Sequence, residues 1–286
     1  MKTILRLLFA VCLAPVYLAS AADDLDSRLK QLLEDFQAQR PSLAAPTNLS
    51  LSNAIVFQRR FVAQLTNRFG PPVGYKVGLV SEAMQQRYGV KAPIRGVLLR
   101  DMLLKDDSAV SASFGGRPVF EADFIVVVKD EGINTAKTPL EAARHLSELV
   151  AFIELPDLIL ATNLSPSGAM LTAVNVGARA GVLGQRVPVT PTQAFVDALA
   201  NLNFIMTDET GADLVRAKGS VILGHPLNAV TWLAQDLAAS GEKLKAGDLI
   251  SLGSVATPLT PRVGQTIKMR YEGMPGGVFG ATVRFK

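Results

Sequence analysis

The chain has 286 residues, of which 49% are hydrophobic and 19% charged. That is the profile of a folded globular protein with a substantial core, and it excludes a disordered or fibrous chain. Lysine and arginine total 29 against 25 acids, and two of the 29, Lys2 and Arg6, fall in an acid-free stretch over residues 1–21. So near-neutral a balance gives no electrostatic case for nucleic acid.

The stretch MKTILRLLFAVCLAPVYLASAA has a basic start, an apolar run from Leu7 to Leu18 and a small-x-small cleavage site at Ala19-Ser20-Ala21. Its uncharged run from Leu7 to Ala22, 16 residues that include Pro15, is too short for a spanning helix of about 20, so an export signal is expected over residues 1–21. The mature protein is then expected to be periplasmic or secreted, without stable membrane insertion. Cys12, the single cysteine, lies inside this run, so cleavage leaves no thiol chemistry. Only His145 and His225 are available as imidazoles, and no H-E-x-x-H occurs. Any metal site must therefore be built mostly from oxygen.

Leu25, Leu29, Leu32, Leu33 and Phe36 line one face of a helix predicted over Asp23 to Arg40, stopped by Pro41. A second helix is predicted over Leu51 to Phe69 and ends at Gly70-Pro71-Pro72. Strand character follows at Val73–Leu79, Val97–Leu103, Val119–Val128 and Leu149–Leu155, with a helix over Pro139–Glu148. A helix opens at Thr190-Pro191, a hairpin turns around Glu209-Thr210-Gly211, and a further helix spans His225 to Ser240. The tail reads as strands at Leu249–Leu252, Gln265–Tyr271 and Val278–Phe285. The expected fold class is α+β, with a helical region over residues 22–72 followed by a β-rich body over 73–286.

Glu121 and Asp123 stand two apart at the start of an apolar strand, so they share a face. An isolated E-x-D is ordinarily a solvated strand end, but Glu154 closes a second apolar strand. Three carboxylates at strand ends suit a hard cation such as Mg²⁺ or Mn²⁺. Gly74-Tyr75-Lys76-Val77-Gly78 sets one lysine in a short strand between glycines; by itself it reads as a surface lysine on an edge strand. His225 stands at a helix start, where it can cap the helix or touch a substrate. Gly177-Ala178-Arg179-Ala180-Gly181 follows no clear strand and makes no case for a nucleotide loop.

In order and spacing these segments resemble the 2-keto-4-pentenoate hydratase family of the fumarylacetoacetate hydrolase superfamily. The resemblance runs from Ala54 to the C-terminus, through Gly74–Ser81, Gly96-Val97-Leu98, Glu121-Ala122-Asp123 with Glu154, Asn175 and Gly224–Ala234. It implies a mixed β-sheet roll of the fumarylacetoacetate hydrolase C-terminal type. It also implies a divalent ion, Mg²⁺ or Mn²⁺, on Glu121, Asp123 and Glu154, a catalytic Lys76, and substrate contacts from Asn175, His225 and Asp157. The implied activity is hydration of a 2-hydroxy-2,4-dienoate or its 2-oxo tautomer, such as 2-oxopent-4-enoate, by a homo-oligomer. A 2-oxo acid decarboxylase, a tautomerase or an exported 2-oxo acid-binding pseudoenzyme would carry the same residues. Two departures stand out: Asp123 is one methylene shorter than the family's usual glutamate, and Ile94 stands in a loop where the family usually has an acid.

Overall fold

A computed structural model describes residues 14–286. The n-region and most of the apolar run of the expected export signal lie outside the described residues.

Helix α1 (Ala14–Gln37) already includes residues before Asp23. Helix α2 (Leu51–Phe69) is capped by the Ser50 hydroxyl, which accepts from the Asn53 N–H, and stops at Gly70 with φ of 72°. The chain continues through β1 (Pro72–Gly78), α3 (Glu82–Arg87), β2 (Ile94–Leu99), β3 (Leu103–Lys105), β4 (Ser108–Val110) and β5 (Glu121–Val128). Then come α4 (Pro139–Arg144), β6 (Leu146–Leu155), α5 (Gly168–Ala173), β7 (Ala180–Pro188), α6 (Gln193–Asn201), β8 (Asn203–Thr207) and β9 (Asp213–Lys218). Helix α7 (Leu227–Ala239), β10 (Leu249–Ser251), β11 (Thr266–Glu272) and β12 (Phe279–Phe285) complete it.

The strands form two sheets. Seven run in the order β2-β1-β10-β5-β6-β7-β3, and five in the order β4-β12-β11-β8-β9. The larger sheet is mixed, with β1–β10 and β3–β7 parallel and its other pairs antiparallel. Its centre, β5 paired with β6, is buried on both faces, which is why these strands read as near-continuous apolar runs. One face, through Ala122, Phe124, Val126 and Val128, packs against the second sheet and α7 in the main core. There Phe124, Phe204, Tyr271 and Phe279 meet in sequence at centroid spacings of 5.4, 5.1 and 4.7 Å, the first pair tilted, the second edge to face and the last stacked. Each such contact adds about 0.5–1.5 kcal/mol beyond area burial. Helices α1 and α2 form a second core cluster with α5 and residues of β2.

The other face of the larger sheet is divided along its length. Ile125, Val150, Phe152 and Leu98 fill one part as a small apolar cluster. By the two-residue period of strands, Glu121, Asp123, Glu154, Lys76 and Ser251 share that same face at the other end. This gradient, apolar to ionic along one sheet face, is what the fold contributes to the site.

Candidate active site

The register of the sheet brings the ionic residues together. Glu121 on β5 is directly opposite Glu154 on β6, and Asp123 is opposite Phe152. Lys76 on β1 pairs laterally with Ser251 on β10, which pairs with Ile125 on β5. Three strand steps separate β1 from β6, about 14 Å along a flat sheet. Side chains standing perpendicular to such a sheet would not meet. Yet the Lys76 Nζ lies in ion-pair contact with Glu154 Oε1, so the sheet is curled and Lys76 reaches across its concave face. Gly96, the partner of Lys76 on β2, gives the lysine room, since a Cβ there would fall 2.9 Å from Lys76 Cγ and 2.7 Å from the Asn175 carbonyl. Lys76 is therefore no edge-strand surface lysine.

These charges are withdrawn from water. Relative exposure is 4% for Lys76, 2% for Glu154 and 0% for Asp123, while Glu121 is half-buried and forms the outer member. Burial, followed by the Glu154 charge, pushes Glu121 up to about 8 and Asp123 up to about 7. Burial alone would lower Lys76, but Glu154 and then Glu121 outweigh it, and its pKa is raised. Lys76 is thus held as a cation among three carboxylates.

The donor set can be tested against the implied cation. Glu154 Oε1 is the one buried side-chain polar atom, among the described residues, without a well-aligned hydrogen bond; its one close contact is the Lys76 ammonium. Three acids crowded beside one lysine, two of them pushed toward protonation by burial and mutual repulsion, suit a divalent cation that would favour their charged forms, and oxygen donors suit Mg²⁺ or Mn²⁺. Glu121 and Glu154 fit such an ion. Asp123 turns elsewhere: its Oδ1 accepts from the N–H groups of Phe124 (2.6 Å) and Gly253 (3.0 Å), and its Oδ2 from the Ser251 hydroxyl. Accordingly, no three acidic, histidine or cysteine side chains among the described residues are gathered as a ready ligand set.

The other candidate residues are committed to structure. Asn175, fully buried with φ of 57°, accepts from the Val97 N–H (2.7 Å) and donates to the Val97 carbonyl (2.9 Å), fixing β2. Asp157 accepts from the N–H groups of Gly116 (3.0 Å) and Arg117 (2.8 Å), and pairs with Arg179 at 3.4 Å. Arg179 also donates to the Phe36 carbonyl and lies 4.0 Å from the Phe36 ring centroid, fastening α1 to the sheet. His225 contacts the Val196 carbonyl through Nε2 (2.9 Å) and accepts from the Leu227 N–H through Nδ1 (3.0 Å), which makes it a cap for α7. Burial lowers its pKa and keeps it neutral. Ile94 belongs to β2 rather than to a loop; it is 3% exposed and opposite Gly78.

Two residues at the site had no distinct signal. Ser251 is an ordinary serine in an apolar strand. Tyr271 comes from the second sheet: its hydroxyl donates to the Asp123 carbonyl and accepts from the Phe152 N–H at 3.1 Å, beside the β6–β7 bulge between Val150 and Phe152. An open depression of about 350 Å³ between β7, β11 and β12 has none of these residues in its walls.

The chain matches no protein-family model. It is 28% identical over 257 residues to 2-oxo-hept-4-ene-1,7-dioate hydratase of Escherichia coli, covering 86% of this chain and 94% of that one. It is 30% identical over 203 residues to 2-keto-4-pentenoate hydratase 1 of Dechloromonas aromatica, covering 71% and 74%. In structure it resembles 4-oxalocrotonate decarboxylase from Pseudomonas putida G7, complexed with magnesium and adipate, at a TM-score of 0.79 and 22% identity over 93% of this chain and 98% of that one. Fumarylpyruvate hydrolase from Pseudomonas aeruginosa, in complex with Mn²⁺ and pyruvate, gives a TM-score of 0.52 at 13% identity over 74% and 89%. The fold is thus that of the fumarylacetoacetate hydrolase superfamily, and the chain belongs to the 2-keto-4-pentenoate hydratase family of lyases.

Proposed function

We propose that this protein is a metal-dependent hydratase acting on a 2-hydroxy-2,4-dienoate or its 2-oxo-enoate tautomer, such as 2-oxopent-4-enoate. The observation that carries the reading is the buried Lys76–Glu154 contact, with Glu121 across the strand pair and one Glu154 oxygen lacking a well-aligned hydrogen bond. The names of the relatives, hydratases and a decarboxylase of 2-oxo acids, support the same class.

A divalent cation, Mg²⁺ or Mn²⁺, held beside Glu121, Asp123 and Glu154 would supply Lewis acidity toward the substrate carboxylate and the adjacent 2-oxygen. Lys76 contributes the mobile proton. As a buried cation it donates to the distal end of the dienol, and it recovers a proton from the 2-hydroxyl, so tautomerisation is neutral overall. Its charge also opposes the negative charge that develops on the enolate. The resulting enone adds water, with OH bonding to C4 and a proton to C3. The apolar part of the concave face, Ile125, Val150 and Phe152, keeps the electrostatics strong by excluding water.

The test is metal analysis of the purified protein, followed by absorbance assays on 2-hydroxydienoates with and without Mg²⁺ or Mn²⁺. Metal-dependent loss of dienol absorbance with uptake of water is expected. Absence of both metal uptake and 2-oxo acid binding would overturn the reading.

A second reading, a 2-oxo acid tautomerase or decarboxylase on the same residues, is favoured by one observation: Ile94 gives this face a buried hydrocarbon where an acid could position water. Proton movement beside the carbonyl needs no such group, whereas losing a general base costs about 10²–10⁴-fold. Ile94→Asp is then expected to raise hydration with little change in 2-oxo acid affinity. Efficient hydration by the unaltered protein would exclude this second reading. The proposal extends to export, tested by intact mass for a chain starting near Ala22, and to a homo-oligomer, tested by light scattering. No helix among the described residues is long and apolar enough to cross a membrane.

A further inference from the structure

This inference rests on the role given to Lys76 above. We infer that Val176 is a positioning residue for Lys76: a strained turn over Asn175–Gly177 holds the valine side chain on β1 and fixes the course of the lysine. Asn175, Val176 and Gly177 have φ of 57°, 53° and 69°, three left-handed residues in succession. Glycine adopts that region freely and asparagine tolerates it, but a β-branched valine there is an outlier. Strain of this kind persists only where the surroundings impose it. Here they impose it from two sides. The Asn175 side chain is tied to both backbone groups of Val97 on β2, and the Gly177 carbonyl accepts from the Asp157 N–H (2.9 Å) just beyond β6.

Val176 contributes little to the core in exchange. It is half-buried and belongs to none of the three apolar clusters among the described residues. What it meets is β1. A Cβ at Gly78 would fall 2.7 Å from Val176 Cγ1, and one at Gly96 would fall 2.7 Å from the Asn175 carbonyl oxygen and 2.9 Å from Lys76 Cγ. Both glycines lie on the face that carries Lys76, because Gly78 is two residues along the same strand and Gly96 is the lysine's cross-strand partner. The turn therefore walls the Lys76 stem twice, with the Asn175 carbonyl at its side and Val176 about 7 Å further along β1. The ammonium at the far end of that stem meets Glu154. A relaxed backbone at position 176 would carry the valine off Gly78 and open space beside the lysine.

The test is reductive methylation with formaldehyde and cyanoborohydride, read lysine by lysine by mass spectrometry, alongside urea unfolding and turnover of a 2-hydroxydienoate. Val176→Gly relieves the strain and removes the wall. It is expected to speed methylation of Lys76 alone, to keep or raise the urea midpoint, and to lower kcat by about 10²-fold with KM little changed, the cost of misplacing a reacting group by about 1 Å. Val176→Ala, which carries the test if Val176→Gly does not fold, is expected to shift methylation in the same direction. Val176→Thr, of the same shape, is expected to keep the wild-type methylation rate. Lys76 methylated at the wild-type rate in both Val176→Gly and Val176→Ala would overturn the inference and leave the hydratase reading standing. A rise shared by all lysines, with a lower urea midpoint, would make Val176 a packing residue and overturn it equally. Methylation needs no substrate, so wild-type protein that turns over no 2-hydroxydienoate would overturn the hydratase reading alone.

Discussion

Glu154 and Asp157 stand three residues apart, and both are almost completely buried, yet their surroundings are opposite. Asp157 has its oxygens spent on two backbone N–H groups and the Arg179 guanidinium, which is itself packed on Phe36. Glu154 faces another carboxylate across the strand pair, and its Oε1 meets the Lys76 ammonium without a well-aligned hydrogen bond. A buried charge with all its partners is part of the frame, whereas one left short is held ready for something that arrives. The difference lies in the local supply of donors, not in depth of burial or residue type.

The strongest way to break this contrast is on the Glu154 side. Lys76→Ala is expected to lower turnover by about 10²–10⁴-fold, the usual contribution of a positioned proton donor, while fold and Mn²⁺ uptake persist. Steady-state assays with circular dichroism and metal titration check it; wild-type rates on a confirmed substrate would remove Lys76 from the mechanism.

On the Asp157 side the expected loss is in stability. Asp157→Ala leaves Arg179 buried without its carboxylate and is expected to cost about 3–5 kcal/mol in urea unfolding. Glu154→Gln in metal-free protein is expected to cost less, because the Lys76 cation it leaves still faces Glu121 and Asp123 and the repulsion with Glu121 is relieved. Equal destabilisation by the two substitutions would erase the distinction between frame and site.

The subtlest test is pH. Glu121 is pushed up to about 8 and Asp123 to about 7, so the folded state binds more protons than the unfolded state above the ordinary carboxylate range. Stability of the metal-free protein is therefore expected to be fuller near pH 5 and to fall as pH rises toward 8. Urea midpoints across that range measure it, and Glu121→Gln or saturating Mn²⁺ is expected to flatten the slope.

What the sequence disclosed follows the same division. Glu121, Asp123 and Glu154 were legible because each interrupts an apolar strand where a charge needs a reason, and Lys76 because the glycine-flanked segment resembles a known one. The commitments of Asn175 and Asp157 were not legible, and the cap at His225 was legible only as one of two readings. Their partners are backbone groups of Val97, of Gly116 and Arg117, and of Leu227 with Val196, and pairing with backbone leaves no mark on residue identity. Strand β7 was missed because it carries Gly181 and Gly184, which read as loop. In the fold they are contact points: a Cβ at Gly181 would fall 2.2 Å from the Phe152 ring, and one at Gly184 2.3 Å from the Gly280 carbonyl. The family resemblance puts Ile94 in a loop before Gly96, yet pairing with Gly78 makes it strand.

The Tyr271 hydroxyl has a consequence for the order of assembly. It joins the Asp123 carbonyl to the Phe152 N–H across 148 and 119 residues of chain, so the acid-bearing strands receive this brace only when β11 docks. Closing so long a loop is slow compared with forming the β5–β6 pair, whose strands are near neighbours in sequence. A chain emerging from synthesis therefore carries all three carboxylates well before it can hold them in register. The braced arrangement of these carboxylates is a late property of folding, acquired close to completion, and a premature terminus ahead of Tyr271 forfeits it.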